Sequence, residues 1–333
     1  MDTEKYTPVL IGISQSGDWF LYEGDIEKIV SDTWCGGKDC TPVVVSPNRT
    51  SHNLLLLENG KVKKLHIDAA FPVLHGRNGE DGTIQGLFEL AGVPYVGCRT
   101  LASSVAMDKI YTKKILETVG IPQVKSLYVK KRYDGQYVVV NHQFDETDDI
   151  LTAVKNQLGF PCFVKASRSG SSVGCYRVDH EEDLLEILHQ AGQYDSHIVI
   201  EECIDCIELE TAVLGNDDPI VSRVGQIMPH GEFYTFESKY EDEESKTCIP
   251  ALVDANIQEK IREYALKVFK AVDGHGLSRV DFFLDKKTNQ IYLNEINTMP
   301  GFTKISMYPQ LIEDYGISYS DLIDRLIDLA FDR

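Results

Sequence analysis

The sequence predicts an α/β protein made of two or three packed lobes. Strand-like and helix-like apolar patterns alternate along the chain, as in layered mixed folds. At 333 residues the chain is too long for one small core. Near the C-terminus, Arg279-Val-Asp-Phe-Phe283 and Ile291 to Asn297 alternate polar with apolar side chains, the period of half-buried strands.

Taken in order, Pro8 to Ile13 and Ala69 to Leu74 read as strands, with turn-rich chain at Ser14 to Gly17 and Cys35 to Lys38 between them. Ile84 to Ala91 reads as a helix stopped by Gly92 and Pro94. A first lobe is expected over 1–97, a central one over 98–200 and a third over 201–333. Lys109 to Val119 forms a helix ended by Gly120 and Pro122. Pro161 to Lys165, the loop Ala166 to Gly174, and Cys175 to Val178 read as strand, Gly/Ser loop, strand. Leu184, Ile187, Leu188 and Ala191 carry helical spacing, with Asp179 placed as its cap. His197 to Glu202 is a strand running into a connector. Ile257, Ile261, Tyr264, Ala265, Val268, Phe269 and Val272 mark a longer core helix, and Glu241 to Glu244 a solvated loop.

Fifty-two acidic against 33 basic residues give a net charge of −19, which argues against a nucleic-acid partner, because phosphate backbones are held by clustered Lys and Arg. Phosphate chemistry must therefore be local, with a few cations in a cleft. The longest leucine run, Leu54 to Leu57, falls far short of the ~20 residues of a membrane span. Met1 to Tyr6 has neither the basic start nor the apolar core of an export signal. Cys203-Ile-Asp-Cys206 has no partner pair for zinc, and the eight cysteines read as reduced and incidental. A cytoplasmic protein without membrane partners is expected.

Arg279 and Asp281 share one strand face, as do Glu295 and Asn297. Folded across the polar Asp285 to Asn289 turn, the two pairs lie opposite each other within a register step. Two carboxylates and an amide oxygen beside a guanidinium suit Mg²⁺, which takes one or two carboxylates and leaves its other positions to phosphates and water. Gly170 and Gly174 let backbone N–H groups converge on an anion, Ser171 and Ser172 add hydroxyls, and Lys165 adds a point charge. No GxxxxGK[ST] sequence is present, so this is not a P-loop. The connector offers Glu201 to an adenine edge and Glu208 to ribose hydroxyls.

Together these segments resemble the D-alanine–D-alanine ligase family, of the ATP-grasp fold. The marker is His75-Gly-Arg-Asn-Gly-Glu-Asp-Gly-Thr-Ile-Gln-Gly86. With it come Met107-Asp-Lys109, the Arg168 to Gly174 loop, Glu237-Ser-Lys-Tyr240, and the Arg279 to Gly301 hairpin. Ile11 to Trp19 looks most like the branch holding vancomycin-resistance-type D-Ala–D-Ser ligases. The resemblance implies a Rossmann-like first lobe, truncated here, and two α+β lobes clamping ATP. It implies ATP-dependent joining of two D-alanines through an acyl phosphate, for peptidoglycan precursors, by a homodimer using two Mg²⁺ or Mn²⁺ ions. Lys109 and Lys165 would hold the ATP phosphates, and Glu201 and Glu208 adenine and ribose. Ser172, Glu202 and Lys239 would also bind the cofactor, Lys239 from a loop closing over the site. Asp281, Glu295 and Asn297 would hold the metals. Arg279 and the Gly301 backbone would stabilise the acyl phosphate and tetrahedral centre. His75 and Ser171 would lie near the first D-alanine, Tyr240 on a closing loop, and Ser306 and Met307 at the second amino acid.

Family members begin with a strand, a Gly-rich turn bearing an acid that holds the first D-alanine, and a helix. This chain opens at what resembles the second strand, so an internal start and weak or absent activity are expected. Apolar Met307 after Ser306 favours D-alanine as acceptor, with D-serine second. A non-catalytic ATP-binding remnant is the reading from a different class.

Overall fold

The computed structural model describes residues 2–170, 173–228, 246–303 and 305–332. The described strands form three sheets. The first runs in sequence order through β1 (Ile11–Ile13), β2 (Trp19–Tyr22), β3 (Cys40–Val45), β4 (Asn53–Glu58) and β5 (Lys61–His66), every pair antiparallel. A short helix, α1 (Glu27–Val30), interrupts it, and α2 (Thr83–Ala91) covers it. Alternation decides which face is covered. Val43, Val45, Leu54 and Leu56 are buried while Val44 and Leu57 are exposed, and Ile84, Phe88 and Ala91 of α2 close that core. Gly92 ends α2 at φ 70°, as its sequence position predicts. Ala69 to Leu74 is not a strand. Among the described residues it makes one parallel bridge, Ala70 to Tyr95, and no ladder.

Helices α3 (Thr100–Met107) and α4 (Lys109–Thr118) lead to the second sheet. Asp108 caps α4, accepting from the N–H groups of Ile110 and Tyr111 at 3.1 and 3.3 Å, which fixes where Lys109 emerges. The sheet contains β6 (Ser126–Lys131), β7 (Tyr137–Val140), β8 (Glu146–Thr147), β9 (Cys162–Ala166), β10 (Cys175–Val178) and β11 (His197–Glu202) in the order β10-β9-β11-β6-β7-β8. Helices α5 (Ile150–Gln157) and α6 (Leu184–Ala191) pack on it, with Leu184, Leu188 and Ala191 buried as their spacing predicts. Asp179 does not cap α6. Its carboxylate is taken by Arg177 at 2.7 Å, and a short 3₁₀ turn, Glu181–Asp183, intervenes.

The third sheet is β12 (Cys206–Leu214), β14 (Gly225–Met228), β15 (Lys246–Cys248), β16 (Leu277–Asp285) and β17 (Ile291–Asn297), ordered β15-β14-β12-β16-β17, with β13 (Ile220–Val221) paired to β12. Helix α7 (Ala255–Ala271) lays Ile261, Ala265, Val268 and Phe269 on β12, β16 and β17. Helices α8 (Met307–Asp314) and α9 (Tyr319–Phe331) complete a second core on β12. The Asp285 turn forms as expected: its carboxylate accepts from the N–H groups of Lys287 and Thr288, each at 2.8 Å. Glu241 to Glu244 lie outside the described residues.

Backbone contacts join the sheets around one cleft. The Leu293 N–H of β17 donates to Pro122 O, just before β6, at 2.9 Å. Gly276, at φ 70°, lies so near Gly97 that a Cβ there would meet the Gly97 backbone at 3.3 Å.

Candidate active site

The polar face of the β16–β17 hairpin is the floor of the cleft. Antiparallel register sets Arg279 opposite Asn297 and Asp281 opposite Glu295, the juxtaposition the alternation predicts. A bulge follows Asp281. Arg279 donates through Nε and Nη2 to the two oxygens of Asp281 at 2.8 and 2.7 Å, a bidentate fork. Its Nε also lies 2.9 Å from Glu210 Oε2. Burial works against the Arg279 charge, but Asp281 and Glu210 outweigh it and hold the proton well above the usual range.

The marker segment descends onto this hairpin. His75 Nδ1 donates to Met299 O at 3.1 Å, which fixes the orientation of the ring. The Gly76 N–H donates to Glu80 Oε2 at 2.5 Å, and the Met299 backbone adds a second hydrogen bond to that carboxyl. Burial pushes the Glu80 carboxyl up to about 7, with the nearby Glu295 charge adding and the Gly76 hydrogen bond opposing. Gly170 of the Gly/Ser loop lies against Gly76, so that a Cβ there would meet the Gly76 Cα at 3.4 Å. Asp195 fastens the start of that loop, accepting from Arg168 N–H and Nε, each at 2.9 Å.

A buried charge cluster stands behind the loop. Glu201 Oε1 meets Lys113 Nζ at 2.7 Å and its Oε2 meets Lys165 Nζ at 2.6 Å. Burial alone would raise the Glu201 carboxyl, but the two ammonium groups drive it far below the usual range. Burial opposes the Lys165 charge too, and Glu201 outweighs that and holds its proton above the lysine range. Lys109, from α4, donates to Ser169 O at 2.7 Å and lines the cleft.

Of the residues singled out in the sequence, His75, Lys109, Arg279, Glu295, Asn297, Gly301, Ser306 and Met307 line this one cleft. Asp281 is buried beside it, bound to Arg279 and Asn297. Ser306 caps the turn at Thr303, its Oγ accepting from the Thr303 N–H at 3.1 Å. The Glu201 side chain turns to lysines, and Glu202 accepts from the Lys125 N–H at 2.8 Å. Glu208 stands one pleat before Glu210 on the same face of β12. Ser171, Ser172, Lys239 and Tyr240 lie outside the described residues. Sequence reasoning missed Glu80, Glu210 and Lys113. Glu80 sits inside the quoted marker, Glu210 shares a strand face with Glu208, and Lys113 is one helical turn beyond Lys109.

The donors fit a hard divalent cation. Asp281, Glu295 and Asn297 present oxygen-bearing side chains from two adjacent strands. Among the described residues no group of three or more His, Cys, Asp or Glu side chains is gathered to hold a metal alone. A cation here would thus complete its shell with phosphate oxygens and water, as Mg²⁺ does. The Asn297 amide nitrogen now donates to Asp281 Oδ2 at 3.0 Å, and a half-turn of the amide would present its oxygen instead.

Comparisons with known proteins agree with this geometry. The family models described as D-ala D-ala ligase N-terminus and C-terminus match residues 1–98 and 115–328. A D-alanine–D-alanine ligase of Acetivibrio thermocellus is 47% identical, aligned over all of this chain and 89% of its own length. One from Caldicellulosiruptor bescii is 45% identical over all of this chain and 88% of its own. Among solved structures, the VanG D-Ala:D-Ser ligase of Enterococcus faecalis superposes with a TM-score of 0.86 at 38% identity, covering 99% of this chain and 91% of that one. The D-alanine-D-alanine ligase of Coxiella burnetii gives 0.80 at 32%, covering 97% and 84%. With both family models matched in order and the acidic hairpin facing the marker histidine across one cleft, the chain belongs to the D-alanine–D-alanine ligase family, of the ATP-grasp fold.

Proposed function

We infer that this chain joins two D-alanines to D-alanyl-D-alanine, using ATP, with the first carboxylate activated as an acyl phosphate. The observation that carries this reading is the shared cleft in which Arg279, Glu295 and Asn297 face His75 and Ser306. Lys109 and Lys165 neutralise the nucleotide's phosphates, and Glu201 keeps Lys165 charged and aimed. Asp281, Glu295 and Asn297 hold two Mg²⁺ or Mn²⁺ ions, which when bound offset the charge spread over the transferring group. Arg279 and the Gly301 N–H stabilise the charge that develops as the second amine attacks. His75, oriented by Met299, contacts the first D-alanine through Nε2. Ser306 meets the acceptor's carboxylate. Glu201, Glu202 and Glu208 belong to the nucleoside side, Glu201 through its backbone because its carboxylate is bound to lysines. We place the reaction in the cytoplasm, where ATP is supplied, and among described residues no helix is long and apolar enough to cross a membrane. The domain limits 1–97, 98–200 and 201–333 and a homodimer are part of this reading.

Met307 supports D-alanine as acceptor: its thioether is buried in the cleft wall and gives a serine hydroxyl no partner. The likeness to a D-Ala:D-Ser ligase is the observation favouring D-serine as a second reading. The test is ADP release with D-alanine alone and with D-alanine competing against D-serine, dipeptides being separated by mass. D-Alanyl-D-alanine as main product supports the first reading and a D-Ala–D-Ser product the second. Nucleotide binding without D-alanine-dependent ADP release would instead identify a non-catalytic relative.

A further inference from the structure

We propose that Glu210 is a positioning residue that keeps Arg279 in place when Asp281 turns to a divalent cation, and so sets how much cation the site requires. The inference rests on the metal reading of Asp281 given above. Both oxygens of Asp281 are engaged by Arg279, and Oδ2 also accepts from Asn297 at 3.0 Å. A cation must therefore displace the guanidinium from at least one oxygen. A buried guanidinium that loses its carboxylate is strongly disfavoured, so Arg279 needs somewhere to go.

Glu210 supplies that place. On β12 it pairs in register with Asp281 of β16, and the two strands continue in unbroken antiparallel pairing from Cys206 to Leu214. Its Oε2 is 2.9 Å from Arg279 Nε, and both side chains are largely buried. The single Nε–H is directed at Asp281, so the present contact with Glu210 is an ion pair rather than a hydrogen bond. When Asp281 leaves, that N–H needs only a small swing to reach an acceptor already at hydrogen-bond distance. The guanidinium stays over the cleft, and the cation replaces it at Asp281. With Glu210 neutral, Arg279 would hold Asp281 more tightly, and cation and guanidinium would compete for one carboxylate.

The test is calorimetric binding of ADP to the full chain over a range of Mg²⁺ at constant ionic strength. Glu210→Gln is expected to raise the Mg²⁺ concentration for half-maximal ADP affinity about fivefold or more. ADP affinity without Mg²⁺ should not change, and Glu210→Asp should fall between. On an Arg279→Met background the same Glu210→Gln change should shift nothing, because Glu210 acts through Arg279. An equal shift on that background would show a bare field effect and overturn the proposal, as would a Mg²⁺ requirement in Glu210→Gln within twofold of the parent (about the noise of such cycles). If Glu210→Gln does not fold, Glu210→Asp carries the same comparison. Asp281→Asn separates the two readings. A parental Mg²⁺ dependence in that variant defeats the metal reading. A weakened dependence there beside an unchanged Glu210→Gln defeats only the role of Glu210.

Discussion

Replacing Glu201 by Gln tests the charge cluster behind the Gly/Ser loop. Glu201 is 5% exposed and touches Lys113 at 2.7 Å and Lys165 at 2.6 Å. The amide keeps the shape but removes the carboxylate between them, leaving two buried ammonium groups to repel each other. Breaking a buried pair of this kind destabilises by about 3–5 kcal/mol. For a chain of 333 residues, with an unfolding entropy near 2.1 cal/mol/K per residue, that lowers Tm by about 4–7 °C. The pH dependence carries a second signature. Glu201 is held below its ordinary 4.5, so its stabilisation is full above about pH 4.5 and is lost as pH falls through the lowered value. The gap between parent and variant in urea or thermal unfolding should therefore be constant from pH 5 to 7 and close under stronger acid. ATP affinity should fall as well, because Lys165 loses the group that aims it. A Tm within 1 °C of the parent across that range (below ~1 kcal/mol) would refute the reasoning, since it would mean the cluster is solvated.

Four further outcomes are expected. Asp281→Ala should lower kcat by about 10²–10³-fold, with a smaller loss of Tm than Glu201→Gln because Glu210 still pairs Arg279; a variant that fails to fold would assign Asp281 a structural role. Glu80→Gln should flatten the pH dependence of stability: its carboxyl titrates near 7 when folded against 4.5 when unfolded, so its contribution is present at low pH and lost as pH rises through 7. The difference is at most about 3 kcal/mol, read from unfolding at pH 5 and 8. Gly225→Ala would place a Cβ 2.8 Å from the Met307 sulfur and 3.2 Å from fully buried Leu311, so the thioether must move toward the cleft. A stability loss of about 1–3 kcal/mol and a raised KM for the acceptor with little change in KM for ATP are expected. Met307→Arg should shift acceptor preference toward D-serine by about 10-fold or more in relative kcat/KM, measured by competing the two amino acids.

Sequence reasoning reached farthest where local period and chemistry agree. The β16–β17 hairpin was legible because charged and apolar residues alternate on both arms and a polar turn of the right length joins them. Helices α6 and α7 were legible from spacing, since each lays its apolar stripe on a sheet, and α2 from the Gly92 and Pro94 that stop it. Ala69 to Leu74 departs from the expected strand because an apolar run does not reveal whether a neighbouring strand is there to pair, and among the described residues its one β-bridge is to Tyr95. Asp179 pairs with Arg177 and is set off from the helix start at Leu184 by the Glu181–Asp183 turn. Glu210 was invisible for a different reason. Its partner Arg279 lies 69 positions further along the chain, and only the β12–β16 register brings them together. The Glu201 cluster likewise depends on α4 and two strands meeting, which no local window shows.

The proposed function requires that the polar face of the β16–β17 hairpin bind divalent cations. A crystal structure with ADP and Mn²⁺, recorded with anomalous scattering at the manganese edge, tests it most directly. Anomalous peaks within about 2.5 Å of oxygens from Asp281, Glu295 and Asn297, with the diphosphate on their far side, are expected. Manganese elsewhere in the cleft, with Asp281 still bidentate to Arg279 and the diphosphate away from the hairpin, would contradict the assignment.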